Sequence, residues 1–200
     1  MESEVERAGR LLAILRRSPV VAPILDDWAG IALPDCRLVA GALAQTVWNE
    51  AFELPPRYGI DDVDLVYFDP ADLSQETEAR HAARIAALFA GLTARFGLRV
   101  DVKNQARVHL WYEGKFGMPL RPYRSTADAI ATYPTTATTL GIRPTGEGMD
   151  ICAPFGLEDL MGLVVRANKT LIPRPVYEAK AARWRALWPG LTFLPWDHAA

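Results

Sequence analysis

The sequence predicts a fold that mixes helices and strands, either α/β or α+β. Predicted strands and helices alternate over residues 36–103, in the order strand, helix, strand, helix, strand. Half of the residues are hydrophobic, which is enough for a substantial core, and 200 residues fit one domain of medium size. We therefore expect a single domain over residues 1–200, in which residues 1–30 form an N-terminal helical segment.

The elements of the first half follow from hydrophobic spacing and from breaker residues. Apolar residues recur at helical spacing over residues 3–17, and the clearest helical stripe runs over residues 74–96, with Ser74 as its cap. Pro55 and Pro56 break regular structure between two elements. The predicted elements are a helix at 3–17, a second helix through Trp28, a strand at 36–41, a helix at 42–52, a strand at 62–68, a helix at 74–96 and a strand at 98–103.

The second half gives a weaker pattern. The local structure of residues 104–117 stays open between helix and strand. A short helix is predicted before Pro134, and a β-hairpin is predicted around Gly146 and Gly148. Two further helices are predicted, at residues 156–165 and 174–189.

Composition and charge argue against several classes of protein. Charged residues make up 23% of the chain and balance to a formal charge of −2, which is unlike a generic DNA or RNA binder. Cys36 and Cys152 lie far apart, without a C-x-x-C motif, and read as reduced core residues. The N-terminus lacks signal-peptide features, and no apolar run approaches a membrane span. We expect a cytoplasmic protein without a membrane partner.

Two aspartates stand one residue apart at the head of the strand-forming run "DVDLVYFD", residues 62–69. Because side chains alternate along a strand, Asp62 and Asp64 should point to one face, and Val63 and Leu65 to the other. Two carboxylates so close repel each other, and a divalent cation removes that conflict. Mg²⁺ takes oxygen ligands and typically uses one or two protein carboxylates together with substrate phosphates.

A third acid, Asp101, lies between Val100 and Val102 in the next predicted strand. If the two strands are neighbours, three carboxylates can hold two metal ions about 3.5–4 Å apart, which suits in-line displacement at phosphorus. Asp101 could also take the proton of the attacking hydroxyl. The alternative is that these acids are solvated edge residues or helix-capping groups.

The order of these elements resembles the nucleotidyltransferase superfamily related to DNA polymerase beta. A strand ends in glycine, a helix follows, and a D-x-D strand and an h-D-h strand come next. Residues 36–188 are also similar to a smaller bacterial family of nucleotidyltransferase-like proteins. The stretches that carry this likeness are "GALAQTVWNEAF", "IDDVDLVYFD", "VKNQARVHLWYEGKFG", "PYRSTADAI" and "APFGLEDLMGLVVRAN".

The resemblance implies an α+β fold: a small, twisted, mixed β-sheet with helices on one face, plus N- and C-terminal helices. It implies that Asp62, Asp64 and Asp101 bind Mg²⁺ or Mn²⁺ and that the substrate is an NTP. In the superfamily, a glycine and a following serine hold the phosphates at a helix N-terminus. Here the pair is Gly41 and Ala42, so the backbone donors remain and the hydroxyl is missing.

Several polar residues near these acids are candidates for substrate binding. On the helix after Gly41, Gln45 and Asn49 share a face with Trp48, which could meet a nucleotide. The alternative is a core Trp48, with the two amides satisfying nearby loop carbonyls. Lys103 follows Asp101 on the same strand face and could contact a phosphate or offset the acids.

The segment "KNQARVHLWY" is dense in hydrogen-bonding groups beside Asp101. It predicts base or phosphate recognition, in which the Arg107 guanidinium makes a forked contact to an oxyanion. The alternative is a structural network that ties the segment to the sheet. The further substrate-binding candidates here are Asn104, Gln105 and His109.

The sequence thus supports two functions. The first is a Mg²⁺-dependent nucleotidyltransferase, which moves an NMP group from an NTP to a hydroxyl-bearing acceptor and releases pyrophosphate. The second is a non-catalytic nucleotide- or partner-binding regulatory module, antitoxin-like in kind. Ala42 in place of serine and the nineteen residues between Ala42 and Asp62 motivate the second function.

Overall fold

A computed structural model describes residues 2–198 and is built around a five-stranded sheet with the strand order β3-β2-β1-β4-β5. Strands β2 and β3 are parallel, and the other neighbours in this sheet are antiparallel. A separate pair, β6 and β7, is parallel. The strands are β1 (Arg37–Val39), β2 (Asp62–Tyr67), β3 (Arg99–Asn104), β4 (Gly141–Thr145), β5 (Gly148–Cys152), β6 (Val164–Val165) and β7 (Thr192–Phe193).

The helices lie before, between and after these strands. They are α1 (Glu4–Arg17), α2 (Ala22–Asp26), α3 (Trp28–Ile31), α4 (Gly41–Ala51), α5 (Gln75–Leu88), α6 (Ala90–Phe96), α7 (His109–Phe116), α8 (Thr126–Ile130), α9 (Glu158–Met161) and α10 (Arg174–Leu187). Short 3-10 turns cover residues Gln105–Arg107 and Thr136–Thr138. The α+β class and the small mixed sheet predicted from the sequence are confirmed.

Side-chain caps explain where two of the longest helices begin. Ser3 accepts a hydrogen bond from the backbone of Glu6, and the Glu6 carboxylate accepts one from the backbone of Ser3, which completes a capping box at α1. Ser74 caps α5 by accepting from Thr77 N–H, as the sequence predicts. Both caps satisfy backbone donors that have no partner within the first helical turn.

The long helix predicted at residues 74–96 is in fact two helices. Helix α5 ends at Leu88, Phe89 adopts a non-helical conformation, and α6 follows to Phe96. Phe89 is buried in the main core, so tertiary packing fixes a bend that the continuous apolar stripe does not reveal. Gly97 then ends α6 with φ 61°, a left-handed conformation that glycine adopts without strain.

The structure also settles one segment that the sequence leaves open and corrects one further prediction. The segment at residues 104–117 is a 3-10 turn followed by α7. The helix predicted at 156–165 is only the short α9, and its last two residues form β6 instead. Strand β6 pairs with β7, a strand that the sequence pattern does not predict, because a two-residue strand has too few positions to show alternation.

The main core lies on one face of the five-stranded sheet. Leu38, Val63 and Leu65 point from the strands into this core, where they pack with apolar residues of α4 and α5. Residue Trp48 of α4 joins the same core, with Trp184 and Trp188 edge-on to its ring at centroid distances of 5.0 and 5.3 Å. These contacts hold α10 and the residue that follows it against α4.

The other face of the sheet is only partly covered. Val39 and Val66 form a small second cluster there with Ile130 of α8. The rest of this face carries the polar side chains of β2 and β3, and we call it the open face. Within the described chain, no helix combines the length and the apolar character needed to cross a membrane.

Candidate active site

The predicted alternation along β2 places its acids on the open face. Val63 and Leu65 are buried in the main core, whereas Asp62 and Asp64 are partly exposed on the opposite side. On β3, Val100 and Val102 are buried with the same core, and Asp101 is partly exposed between them. The three acids therefore share one face of the sheet, since side chains of neighbouring strands in register point the same way.

The register of β2 and β3 brings two of the acids side by side. Asp64 stands directly opposite Asp101 in the parallel ladder, and Asp62 stands opposite Arg99. The Arg99 guanidinium donates to the Asp62 carboxylate at 3.1 Å, so this acid already has a cationic partner. Asp64 and Asp101 form the closer pair by register, and Asp62 flanks them.

Of the three acids, Asp64 has the strongly shifted pKa. Burial first, and then the neighbouring charges of Asp62 and Asp101, raise the pKa of the Asp64 carboxyl to about 7, while Lys180 and Arg99 act in the opposite direction. A pKa so far above the ordinary value of a carboxyl is typical of a functional site. A bound cation would relieve both causes, because it supplies the opposite charge where solvent is excluded.

The donor chemistry of the acids suits a divalent cation. Carboxylate oxygens are the protein ligands that Mg²⁺ prefers, and Asp64 and Asp101 present them at the same register. Among residues 2–198, no three His, Cys, Asp or Glu side chains are grouped closely enough to hold a metal ion. Asp62 is paired with Arg99 in this conformation, and the role of the three carboxylates as metal ligands stays a prediction.

Gly41 and Ala42 occupy the N-terminus of α4, directly after β1. Ala40 makes the turn from strand to helix with φ 59° and ψ −124°. The first intrahelical hydrogen bond runs from Ala44 N–H to Ala40 O at 3.2 Å, so the preceding N–H groups of the first turn lie outside the helical ladder. Such groups, together with the helix dipole, favour an anion.

On α4, the contacts of Asn49 and Trp48 fit a structural role better than contact with a nucleotide. The Asn49 amide donates to Pro56 O at 3.3 Å and to Tyr58 O at 2.8 Å, and its oxygen accepts from Trp188 Nε1 at 2.8 Å. Both ends of this side chain therefore have partners inside the protein: the nitrogen donates to two loop carbonyls, and the oxygen accepts from the Trp188 indole. Trp48 is a core residue, and Gln45 is buried beside Gly41.

After β3, two predicted substrate-binding residues belong to a structural network. The Asn104 amide donates to Asp69 O at 2.9 Å and to Asp72 O at 3.1 Å, and its oxygen accepts from Ala106 N–H at 3.0 Å. The Arg107 guanidinium pairs with the buried Glu78 of α5 at 2.8 Å. Arg107 thus donates from Nη1 to a protein carboxylate, and its Nε donates to Leu73 O at 3.2 Å.

The remaining candidates of this segment are placed differently. Lys103 and Gln105 both line an apolar cavity beside Asp64. Lys103 is half exposed and lies 3.9 Å from Glu78, while Gln105 donates to Lys103 O at 3.4 Å. His109 begins α7, and its Nδ1 is buried without a hydrogen-bond partner in the described part of the chain. Its predicted role in substrate binding stays a prediction.

The sequence analysis did not single out Lys180, which α10 brings to the acids. Burial lowers the pKa of the Lys180 ammonium, Arg183 lowers it further, and the charges of Asp64 and Asp62 oppose this. One turn later, Arg183 donates to Asp61 at 3.0 Å, which fixes this row of α10 beside the start of β2. The stretch "KAARWR" reads as an ordinary amphipathic helix, so no sequence signal identifies the lysine.

A cavity of about 360 Å³ opens on the sheet next to Asp64. Its floor is the open face around Val39 and Val66, and the side chains of α7 and the first turn of α10 form its walls. The aromatic residues that line it are Trp111, Tyr112, Phe116, Tyr123 and Tyr133. Burial raises the pKa of the Tyr133 hydroxyl well above its ordinary value, and the negative charge of Asp64 adds to this shift.

Comparison with known proteins finds similarity to a protein family and to solved structures. A protein-family model described as "Nucleotidyltransferase" matches residues 27–193. Among solved structures, the chain is similar to one described as "The NMR structure of the protein reveals a CCA-adding enzyme head domain", with 25% sequence identity and a TM-score of 0.74. That similarity covers 94% of this chain and 95% of the other. No curated protein matches the sequence.

Proposed function

This chain belongs to the nucleotidyltransferase family whose model matches its residues 27–193, and we propose that it transfers an NMP group from an NTP to a hydroxyl-bearing acceptor, with release of pyrophosphate. The observation that carries the proposal is the register of Asp64 against Asp101 on the open face. Two carboxylates in adjacent positions of a sheet, one with a strongly raised pKa, lower the stability of the fold. Such a loss of stability is typical of a functional site.

The triphosphate is proposed to lie between α4 and α10. Backbone N–H groups of Gly41 and Ala42 would donate to its oxygens at the helix N-terminus. Lys180 and Arg99, the two cations that offset the charge of Asp64, would face the phosphates from the other side. Because the Ala42 side chain offers no hydroxyl, backbone donors and these cations carry more of the phosphate binding in this chain.

Asp64 and Asp101 would hold Mg²⁺ or Mn²⁺, with Asp62 as a third ligand after it leaves Arg99. When bound, the cation would offset the phosphate charge and lower the pKa of the attacking hydroxyl. Asp101 would accept the proton of that hydroxyl as its oxygen attacks the α-phosphorus. The bond from the α-phosphorus to the bridging oxygen breaks, and pyrophosphate leaves with the electron pair.

A test is pyrophosphate release from each Mg²⁺·NTP over a panel of hydroxyl acceptors. The double variant Asp62→Asn/Asp64→Asn should lose at least about a thousandfold in rate, because charge stabilisation at phosphorus depends on these groups. The matched control is Asp26→Asn/Asp27→Asn, which removes two exposed acids at the junction of α2 and α3. Equal turnover by the acidic-site variant and the wild type would rule the mechanism out.

One observation favours the second function, a nucleotide-binding module without turnover. Asp62 is paired with Arg99 and so is not free to bind a metal ion in this conformation. Such a module would bind Mg²⁺·NTP, as measured by calorimetry, and release no pyrophosphate with any acceptor. Turnover that requires Asp64 would exclude it.

A further inference from the structure

We propose that the aromatic cavity beside Asp64 is the acceptor subsite and that its occupant is a small aromatic molecule bearing a hydroxyl group. The inference rests on the proposed function and adds the chemical class of the second substrate. It is based on the lining of the cavity, on the distribution of charge around the acids, and on the position of Asp64 in the cavity wall.

The walls of the cavity suit a flat apolar ring. Trp111, Tyr112 and Phe116 come from α7, and Tyr123 and Tyr133 from the segments around α8, so aromatic side chains stand on more than one side. Aromatic faces and edges attract another ring beyond the gain from burial alone. The volume of about 360 Å³ is in the range of small-molecule sites and accommodates one or two fused rings.

Most of the cavity lining is apolar, and two of its polar side chains already have partners in the chain. The Tyr123 hydroxyl lies 2.7 Å from Thr132 Oγ1, and the Gln105 amide donates to Lys103 O at 3.4 Å. A nucleobase carries several donors and acceptors along its edge, and each one left without a partner costs roughly 1–3 kcal/mol. The lining therefore favours a ring with few polar atoms over the base of the NTP.

The distribution of charge on the open face also separates a site for the triphosphate from a site for the aromatic ring. The cations that offset Asp64, Lys180 and Arg99, lie toward the start of β2, where Asp62 and Asp61 are paired with arginines. The cavity begins at Ala40 and Asp64 and extends toward the far end of the strands, where Val66 and Lys103 line it. A triphosphate belongs at the cationic end, which leaves the aromatic end for the other reactant.

The acids stand at the boundary between the two ends. Asp64 lines the cavity, and Asp101 is its neighbour in the ladder, so a hydroxyl on the inner edge of the ring would meet both carboxylates. In the reaction, R–OH plus NTP gives R–O–NMP plus pyrophosphate. The acceptor oxygen bonds to the α-phosphorus, its proton passes to Asp101, and the bond to the bridging oxygen breaks.

Binding is tested with 2-naphthol as the probe, by isothermal titration calorimetry on the full chain with and without Mg²⁺·ATP. Val176, in the first turn of α10, lines the cavity and is 37% exposed, so Val176→Trp can fill the mouth without disturbing the core. We expect binding to weaken at least tenfold in Val176→Trp. The matched control is Val5→Trp, on the first turn of α1, where Val5 is 82% exposed and binding should not change.

A second pair of variants addresses the walls directly. Trp111→Ala removes an aromatic wall and should weaken 2-naphthol binding severalfold, whereas Leu110→Ala changes the adjacent residue of α7, which is 57% exposed, and should have no effect. Equal affinity in Val176→Trp and the wild type, or no binding by the wild type, would overturn the proposal. Competition between 2-naphthol and Mg²⁺·ATP would also overturn it, since the cavity would then hold the base.

Turnover separates this proposal from the proposed function. Pyrophosphate release that depends on 2-naphthol and is lost in Val176→Trp supports both. Release with glycerol alone, unaffected by Val176→Trp, would overturn the aromatic acceptor and leave the nucleotidyltransferase intact. Binding of 2-naphthol without pyrophosphate release from any acceptor would remove the acceptor role together with the enzymatic function.

Discussion

Strand β2 presents two sets of side chains to two environments. Val63 and Leu65 are fully buried among the residues of α4 and α5, whereas Asp62 and Asp64, at alternating positions, stand on the open face beside a cavity. The first set gains stability from burial. The second set contains a carboxyl group whose burial raises its pKa to about 7, which is a cost to folding at neutral pH.

Because side chains alternate along β2, one strand supplies apolar residues to the core and acids to the open face. A residue shifted by one position would exchange the two environments, so the register of β2 against β3 has to be tightly specified. The buried valines and leucines specify it, and the acids follow from their position in the ladder. Changes on the covered face should therefore affect stability, and changes on the open face should affect ligands and pH dependence.

The largest expected effect on stability is on the covered face. Leu65→Ala should lower the free energy of unfolding by about 4 kcal/mol, because it removes a fully buried side chain and leaves a cavity. Chemical denaturation measures this loss. Leu110→Ala, at an exposed position of α7, is the control and should cost less than about 1 kcal/mol. A small loss for Leu65→Ala would mean that the two faces are not energetically distinct.

The next effect concerns the ion pair at the end of β3. Arg107→Ala should lower stability by about 3 kcal/mol, because it leaves the buried Glu78 carboxylate without its cation. Affinity for Mg²⁺·NTP, measured by calorimetry, should stay within about twofold of the wild type. Arg80→Ala, which removes an exposed guanidinium from the same helix as Glu78, is the control. A large loss of NTP affinity at unchanged stability would show that Arg107 binds the substrate.

On the open face, replacing an acid should increase stability. Asp64→Asn should raise the free energy of unfolding by about 2 kcal/mol at pH 8, where the wild-type carboxyl is ionised at a cost. As pH rises from the unfolded pKa near 4 through the folded pKa of about 7, the wild type loses stability, because the unfolded chain releases the Asp64 proton first. Below both pKa values Asp64 is protonated in both states, and its burial carries no such penalty. The difference between variant and wild type should therefore grow over that pH range.

Denaturation at pH 5, 7 and 8 measures this trend, with Asp26→Asn as the control for loss of an exposed carboxyl. A difference that is constant with pH, or that shrinks as pH rises, would contradict the raised pKa of Asp64.

The smallest effect is that of the cation itself. Mg²⁺ at about ten times its dissociation constant should stabilise the wild type by about 1.4 kcal/mol, because it binds only the folded chain. The stabilisation should be absent in Asp64→Asn and should not be reproduced by NaCl at equal ionic strength. Thermal denaturation measures it. Equal stabilisation of both proteins would place the bound cation away from Asp64.

Prediction from sequence succeeds where the signal is local and periodic. The alternation of β2, the cap of α5 by Ser74, the hairpin of β4 and β5 and the helix α10 all follow from spacing and from cap residues. It fails where packing overrides a continuous pattern, as in the bend at Phe89 between α5 and α6. It also fails at β6 and β7, which exist only because two distant segments meet.

In the candidate site, too, some residues can be predicted from the sequence and others cannot. The sequence indicates Asp62, Asp64 and Asp101 as one-faced acids, because strand alternation is a property of the chain itself. Their partners are long-range, since Lys180 reaches Asp64 from a helix more than a hundred residues later. Residues that form hydrogen bonds equally well with substrate or with loop carbonyls, such as Asn49 and Asn104, cannot be assigned before their neighbours are known.

By itself the sequence determined that the fold mixes helices and strands, where most of these elements lie, and the face on which the acids lie, because all of these depend on spacing along the chain. Only the tertiary structure decided that Asp64 pairs in register with Asp101, that Arg99 holds Asp62, and that an aromatic cavity adjoins them. The physical reason is that strand register, ion pairs and cavities are set by the joint packing of segments that are distant in sequence.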